Sequence, residues 1–445
     1  MDYSDRLERV SILGAAGKMG SGILLLTAME MADLMLKPDF KSKAFVVNAI
    51  DTSSEGLKGL MKYIRTQVLK AAEKKTVQLR IAYSDRAELI ENSDIVEAYV
   101  EDVMSLIQAS TRIESAYDST LIFEAVSENQ ALKEKIFRQI TENNPNQPWF
   151  FTNTSSVPIG ELNRNAALNG RILGFHFYNP PAVQKLVELI TIPENPAEII
   201  DFAKEYAKNL RKTIVPSNDI AGFIGNGHFM RDSLYGLKEA ERLTKEMPLP
   251  EAFYVIDRVT RDFLVRPMGI FQLIDYVGLD VVQFILRVMQ PRMQGEHLHS
   301  ELLDELVLKG VKGGQFSDGS QKDGFFRYAK GKPVAVYNLK TGDYTDLQEF
   351  SAGRDAWIGD LPKGAMPWKN LVKVTDKETV LNPYFEALRA INTPGATIAA
   401  AYSRNSKEIA LKLISSGVAH NEKDVNTVLL TGFFHAYGPI SSFIQ

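Results

Sequence analysis

The sequence predicts an α/β, doubly wound first domain, then an all-α domain that ends in a partly repeated helical extension. Three observations carry this. Short unbroken apolar runs alternate with helical patterns through the first half of the chain, as in a mostly parallel sheet covered on both faces. A turn holding three glycines separates the first apolar run from the first helix. From about residue 219 the apolar positions recur at helical spacing.

In chain order, "RVSILGAA" (9–16) reads as a short buried strand, and the glycines after it open an amphipathic helix. "AFVVNAID" (44–51) is a second apolar strand that ends in an acid. "TLIFEAVSEN" (120–129), "WFFTNTSS" (149–156), "ILGFHFYN" (172–179) and "LVELITI" (186–192) are further strands, with "QALKEKIFRQITEN" a helix between two of them. Beyond "TIVPSNDIAGFIGN" the pattern is helical to about 310, as in "GHFMRDSLYGLKEAERL" and "FQLIDYVGLDVVQFILRVM". "KPVAVYNLKTGDYTDL" (332–347) predicts a hairpin turning at Lys340-Thr341-Gly342-Asp343. Residues 350–375, rich in Gly, Pro and Trp, are expected to be irregular, and helix returns from about 378. The expected domains are therefore 1–217, 218–330, a hairpin and linker over 331–377, and 378–445. The last is read as a second, divergent helical copy, because an ungapped alignment sets Asp257 on Asn426 and Gly269 on Gly438.

Bulk properties exclude several classes. A chain of 445 residues with 45% hydrophobic and 24% charged residues has the composition of a globular protein of two or three domains. A formal net charge of -4 gives no electrostatic reason to expect nucleic acid or an anionic membrane. Without cysteine there are no disulfides, zinc-thiolate sites or thiol nucleophiles. The start, "MDYSDRLERV", lacks a signal pattern, and Glu30 and Asp33 interrupt the most apolar early run, so a cytoplasmic protein is expected. His297 and His299 of "EHLHSE" have no third ligand nearby in sequence; an exposed helix face accounts for them, and no metal is expected.

The chemistry starts at "GAAGKMG" (14–20), between strand and helix. Gly14 permits the tight turn, Gly17 lets the backbone approach a pyrophosphate, and Gly20 lets helix and strand pack closely. The backbone at Lys18, Met19 and Gly20 opens the helix, whose N-terminal N–H groups suit phosphate. The spacing is G-x-x-G-x-x-G, which differs from the usual dinucleotide fingerprint in its first glycine. Asp51 ends the second strand, where a carboxylate binds both adenosine ribose hydroxyls and repels a 2′-phosphate; NAD is favoured over NADP. His176 and Glu188 sit in two neighbouring apolar strands, where charge is costly unless paired. On their own they fit either a structural core pair or a proton-transferring pair.

"FEAVSENQALKEKIF" (123–137), "TNTSSVPIGEL" (152–162), "GFHFYNPPAVQKLVELI" (174–190), "AGFIGN" (221–226) and "RPMGIFQLIDYVGLD" (266–280) follow the glycine loop in that order. With it they make a Rossmann-like chain that resembles the L-3-hydroxyacyl-CoA dehydrogenase family from about residue 9 to about 330, where "SQKDGFFRY" is similar to the family's closing signature. The resemblance implies reversible, NAD-dependent oxidation of an acyl-CoA substrate. His176 matches the family's catalytic histidine in its His-Phe-Phe-Asn-Pro motif, here "HFYNP", and Glu188 matches the acid paired with it. Ser155 and Asn226 match the residues that hold the substrate's C3 oxygen; Glu128 and Lys133 match positions on the nicotinamide-ribose side. Two other readings stand beside this one: a dehydrogenase of a small hydroxy acid on the same fold, and a non-catalytic NAD-binding protein. Single-copy members of the family pair through their helical domains, so a second helical copy implies a monomer that contains its own pseudo-dimer.

Overall fold

The computed structural model describes residues 3–41, 43–316 and 319–445. They form two compact units, one ending at Asp219 and the other spanning Ile220–Gln445.

The first unit is built on one eight-stranded sheet. Its strands are β1 (Arg9–Leu13), β2 (Val46–Ile50), β3 (Ile107–Ser110), β4 (Leu121–Glu124), β5 (Trp149–Thr152), β6 (Ile172–Phe177), β7 (Leu186–Ile190) and β8 (Thr213–Ser217). Their spatial order is β3-β2-β1-β4-β5-β6-β7-β8, so strand order reverses between β1 and β4, the switch point at which such sheets bind ligands. Neighbours are parallel except β6 and β7, which run antiparallel. β4, β5, β6 and β7 are buried along their whole length, which explains why their sequences run apolar without alternation.

Helices cover this sheet. The one at Lys18–Met35 is five turns long and takes up much of the interval between Gly20 and Asp51. The β2-to-β3 connection holds three more, Ser54–Lys74, Thr76–Ala82 and Asn92–Ser105. The first of these starts where the Ser53 side chain accepts from Gly56 N at 2.9 Å. The helix Ala197–Asn209 lays Phe202 and Tyr206 on an aromatic cluster of Phe123, Phe151 and Phe175, and the Tyr206 hydroxyl meets Thr27 Oγ1 at 2.7 Å. β3 and β8 were not anticipated. Both are edge strands: only Ile107 of β3 is fully buried, and β8 carries Pro216, which a sheet edge tolerates.

The second unit is helical around a small sheet. Its helices are Gly225–Leu243, Leu249–Arg258, Ile270–Val277, Leu279–Met289 and Glu301–Leu308, then Ser351–Ile358, Trp368–Leu371, Glu378–Ala390, Pro394–Ser415 and Glu422–Gly432. Between the two sets lie β9 (Phe326–Ala329), β10 (Lys332–Asn338) and β11 (Asp343–Asp346), antiparallel in the order β11-β10-β9. The expected hairpin is β10–β11, and Gly342, at φ +72°, closes its loop with its N–H on Asn338 O. β9 joins it because the buried Asp275 carboxylate accepts from Phe325 N, Phe326 N and the Tyr328 hydroxyl.

Two expectations need correction here. Residues 350–375 are not irregular throughout: Ser351–Ile358 is a helix that buries Ile358 and stops at Gly359, φ +86°. Gly359 ends that helix, and Pro367 opens the short one at Trp368–Leu371. His297 and His299 are not on a helix either; they lie in the chain leading to Glu301–Leu308, with His299 Nε2 2.9 Å from Asp304 Oδ2.

Candidate active site

The site elements of the first unit gather at the C-terminal ends of β1, β2, β4, β5 and β6. The turn after β1 is set by three glycines with different demands. Gly14 has φ +75°, and a Cβ there would stand 2.5 Å from Ala125 O. At Gly20 a Cβ would come within 2.0 Å of Gly14 O, so helix and turn touch backbone to backbone. A Cβ on Gly17 would meet only Gly14 O, at 3.2 Å, so its absence opens the loop's outer side. No side chain caps the helix that begins at Lys18, and its first turn holds no acid. Such a helix start fits a pyrophosphate, which supplies the negative charge that capping carboxylates supply elsewhere.

Asp51 follows β2. Its Oδ2 accepts from Ala16 N and its Oδ1 from Ser53 N, both at 3.0 Å, so the carboxylate pins the glycine loop and keeps lone pairs for hydroxyls.

After β4 and β5 lies a buried ionic cluster. Lys133 Nζ, 1% exposed, is 2.7 Å from Glu124 Oε1 and 3.0 Å from Glu128 Oε2. Burial works against the Lys133 ammonium, but Glu124 and then Glu128 outweigh it and raise its pKa. Burial likewise opposes ionisation of Glu128, yet Lys133 and hydrogen bonds from Thr154 and Ser155 hold its carboxyl below the ordinary value. Glu128 Oε1 accepts from Thr154 Oγ1 at 2.5 Å and from Ser155 N and Ser156 Oγ at 3.0 Å, so it fastens the turn that presents Ser155. Thr152 Oγ1 donates to Glu124 Oε2. Asn153 Oδ1 accepts from Phe177 N at 2.8 Å, which ties this turn to β6.

His176 and Glu188 are direct cross-strand partners in the antiparallel β6–β7 pair, so their side chains leave the same face of the sheet. His176 Nδ1 is 3.2 Å from Glu188 Oε1, and Glu188 is wholly buried. The same Oε1 accepts from the Tyr178 hydroxyl at 2.6 Å. The imidazole therefore turns its Nδ1 edge to the carboxylate. Asn226 belongs to the second unit, as the second residue of Gly225–Leu243, and is partly buried.

Sequence reasoning missed Glu124, Asn153, Thr154, Ser156 and Tyr178. Glu124 had the signal that exposed Glu188, an acid ending the oily run "LIFE". Tyr178 was visible in "HFYNP" as a hydroxyl in an aromatic position. The other three are short polar residues in turns, and nothing in their spacing says which carboxylate they serve. Among the described residues no group of three or more His, Asp or Glu could hold a metal ion, and no helix is long and apolar enough to cross a membrane.

Residues 9–220 match the family model "3-hydroxyacyl-CoA dehydrogenase, NAD binding domain", and residues 250–323 match "3-hydroxyacyl-CoA dehydrogenase, C-terminal domain". A probable 3-hydroxybutyryl-CoA dehydrogenase of Bacillus subtilis is 29% identical over 331 residues, 72% of this chain and 98% of that one. The mitochondrial hydroxyacyl-coenzyme A dehydrogenase of Homo sapiens is 31% identical over 261 residues, 58% of this chain and 81% of that one. In fold, the crystal structure of 3-hydroxybutyryl-CoA dehydrogenase from Escherichia coli K12 aligns with a TM-score of 0.62 at 22% identity, covering 98% of this chain and 90% of that one.

Proposed function

The chain belongs to the 3-hydroxyacyl-CoA dehydrogenase family, whose enzymes are NAD-dependent, and from that premise we propose that it interconverts an L-3-hydroxyacyl-CoA and the 3-oxoacyl-CoA, with His176 as base and Glu188 as its partner. The observation that carries the reading is the 3.2 Å contact between His176 Nδ1 and Glu188 Oε1 across β6 and β7.

NAD is the cofactor, held by Gly14, Gly17, the backbone of Lys18, Met19 and Gly20, and Asp51, with Glu128 and Lys133 on its nicotinamide-ribose side. When bound it supplies the acceptor for the hydride that leaves C3. His176 Nε2 takes the hydroxyl proton as that hydride leaves and returns it in the reverse direction. Glu188 keeps the proton of the neutral ring on Nδ1 and stabilises the imidazolium that forms. Ser155 holds the C3 oxygen as its charge changes, the role that the family resemblance also gives Asn226. The buried Lys133–Glu128 pair supports this indirectly, since it fixes the backbone that carries Ser155.

The test is NADH absorbance with a panel of 3-oxoacyl-CoA substrates and the matched free acids. Turnover of thioesters with little on free acids supports the reading. Equal turnover of free acids favours a small-hydroxy-acid dehydrogenase, and no turnover at all favours a non-catalytic NAD-binding protein.

We further infer that residues 378–445 are a second copy of the helical unit and that the protein is a monomer. Two matching backbone locks support this. Asp257 Oδ1 accepts from Gln272 N, and a Cβ on Gly269 would strike the Asp257 carboxyl at 2.2 Å. Asn426 Oδ1 accepts from Ile440 N, and a Cβ on Gly438 would strike Asn426 Cγ at 2.2 Å. The same alignment sets Gly395 opposite Asn226, so the second copy lacks the polar residue assigned to the substrate oxygen. The helices Gly225–Leu243 and Pro394–Ser415 pack together, with Tyr402 donating to Asp232 O. Light scattering coupled to size exclusion should give a mass near 50 kDa; a stable dimer of twice that mass counts against the self-contained pair.

A further inference from the structure

We propose that Tyr178 is a positioning residue for this reaction: its phenol holds the Glu188 carboxylate in the orientation that meets His176 and sets how strongly that carboxylate grips the imidazole. This rests on the His176–Glu188 reading above and adds a third side chain to it.

Both donors converge on one oxygen. Glu188 Oε1 accepts from the Tyr178 hydroxyl at 2.6 Å, closer than the 3.2 Å that separates it from His176 Nδ1. A fully buried carboxylate needs hydrogen bonds, and one fixed from two directions cannot swing away from the ring beside it. Tyr178 is two residues beyond His176, at the end of β6, and the two rings lie 5.0 Å apart at 40°. The phenol is a dependable donor, because burial and then the Glu188 carboxylate push its pKa well above the ordinary value. Two donors on one oxygen also share its negative charge. The Tyr178 bond therefore sets how strongly Glu188 draws on Nδ1–H of the ring beside it. The family's motif has Phe in this position, which cannot act in this way.

Four measurements on the full chain test this, three of them kinetic or spectroscopic comparisons of variants. Tyr178→Phe removes the hydroxyl and keeps the ring. With NADH and the fastest 3-oxoacyl-CoA of the panel, kcat should fall about tenfold, the order expected for a hydrogen bond to a charged group, with KM for both substrates within about twofold. In a Glu188→Gln background the same substitution should change kcat by less than about twofold, because a residue acting through Glu188 has nothing left to act on. The proton resonance of His176 Nδ1, identified by its loss in His176→Gln, should move in Tyr178→Phe. In the unmodified protein the Tyr178 hydroxyl proton should be visible and close to the His176 ring by nuclear Overhauser effect, a readout that needs no variant to fold. Equal losses of kcat in both backgrounds, an unmoved His176 resonance, or no such hydroxyl proton would overturn the proposal. Unaltered turnover in His176→Ala would instead overturn the His176–Glu188 reading beneath it.

Discussion

Two clusters in the first unit bury carboxylates in opposite ways. Around Lys133, an ammonium faces Glu124 and Glu128, and the hydroxyls of Thr152, Thr154 and Ser156 take up further lone pairs. At Glu188, Oε1 meets an imidazole and a phenol, neither of which bears a permanent positive charge. The first arrangement is worth keeping only in one protonation state, so it fixes geometry. The second joins a carboxylate to two ring donors across neighbouring strands, the arrangement on which the proposed proton transfer rests. Buried charge alone therefore does not mark chemistry; the kind of partner it meets has to be read with it.

That contrast can be broken most directly at His176. His176→Ala should lower kcat by about 10²- to 10⁴-fold while NAD affinity and the thermal midpoint stay near their unmodified values. Steady-state kinetics, cofactor titration and calorimetry check the three. Lys133→Met should act on stability as well. Removing one member of a buried ion pair leaves uncompensated charge, at about 3–5 kcal/mol, so chemical denaturation should show a large loss of stability. If Lys133→Met kept its stability, the distinction between the two clusters would fail.

A third carboxylate sharpens the comparison from outside the core. Asp51 is partly buried, and its carboxylate accepts from two backbone donors, Ala16 N and Ser53 N. Asp51→Ala should weaken NAD by about tenfold, as expected for lost hydrogen bonds to ribose, and narrow the preference over NADP. Kd values for both cofactors, by fluorescence titration, measure the two effects; equal kcat/KM for NAD and NADP in the unmodified enzyme would contradict the assignment.

The smallest effect is expected at Glu296, in the second unit. Hydrogen bonds from Arg231 and, after the opposing effect of burial, from Lys412 hold its carboxyl down to about 2. Arg231 and Lys412 belong to the two helices that pack together, Gly225–Leu243 and Pro394–Ser415. A depressed folded value stabilises the fold above the unfolded carboxyl value, about 4.3, and that stabilisation is lost as pH falls toward 2. Discounted for solvent screening, Glu296→Gln should cost about 1 kcal/mol at pH 7, and the gap should close between about pH 4 and pH 2. Urea unfolding at each pH provides the measurement.

The sequence was most legible where burial was complete. β4 to β7 are continuous apolar runs, so their existence and the buried polar residues on β6 and β7 could be read directly. β3 and β8 escaped because edge strands bury too few residues to leave a pattern. The helix Ser351–Ile358 escaped because Gly353 and the glycine that ends it look alike in sequence, although only Gly359 has positive φ. Of the site, the residues with a dedicated position in a motif were visible. Those that serve another side chain, such as Thr154 on Glu128 or Tyr178 on Glu188, depend on register and turn geometry that no spacing rule encodes.

The reversal between β6 and β7 has a consequence for folding. Among the described residues it is the one antiparallel neighbour pair of the large sheet, and it brings together two side chains only 12 positions apart. Parallel neighbours must wait for a crossover; β1 and β4 lie more than a hundred residues apart in the chain. Loops of about ten residues close on the order of 10–100 ns, whereas long crossovers pay a larger closure entropy before their contacts form. The His176–Glu188 encounter is therefore among the earliest β contacts open to the nascent domain. The fastener of Ser155, which needs β4, β5 and the helix after β4 together, belongs to a later stage, so a partly folded chain can join His176 to Glu188 well before the Ser155 turn is fixed.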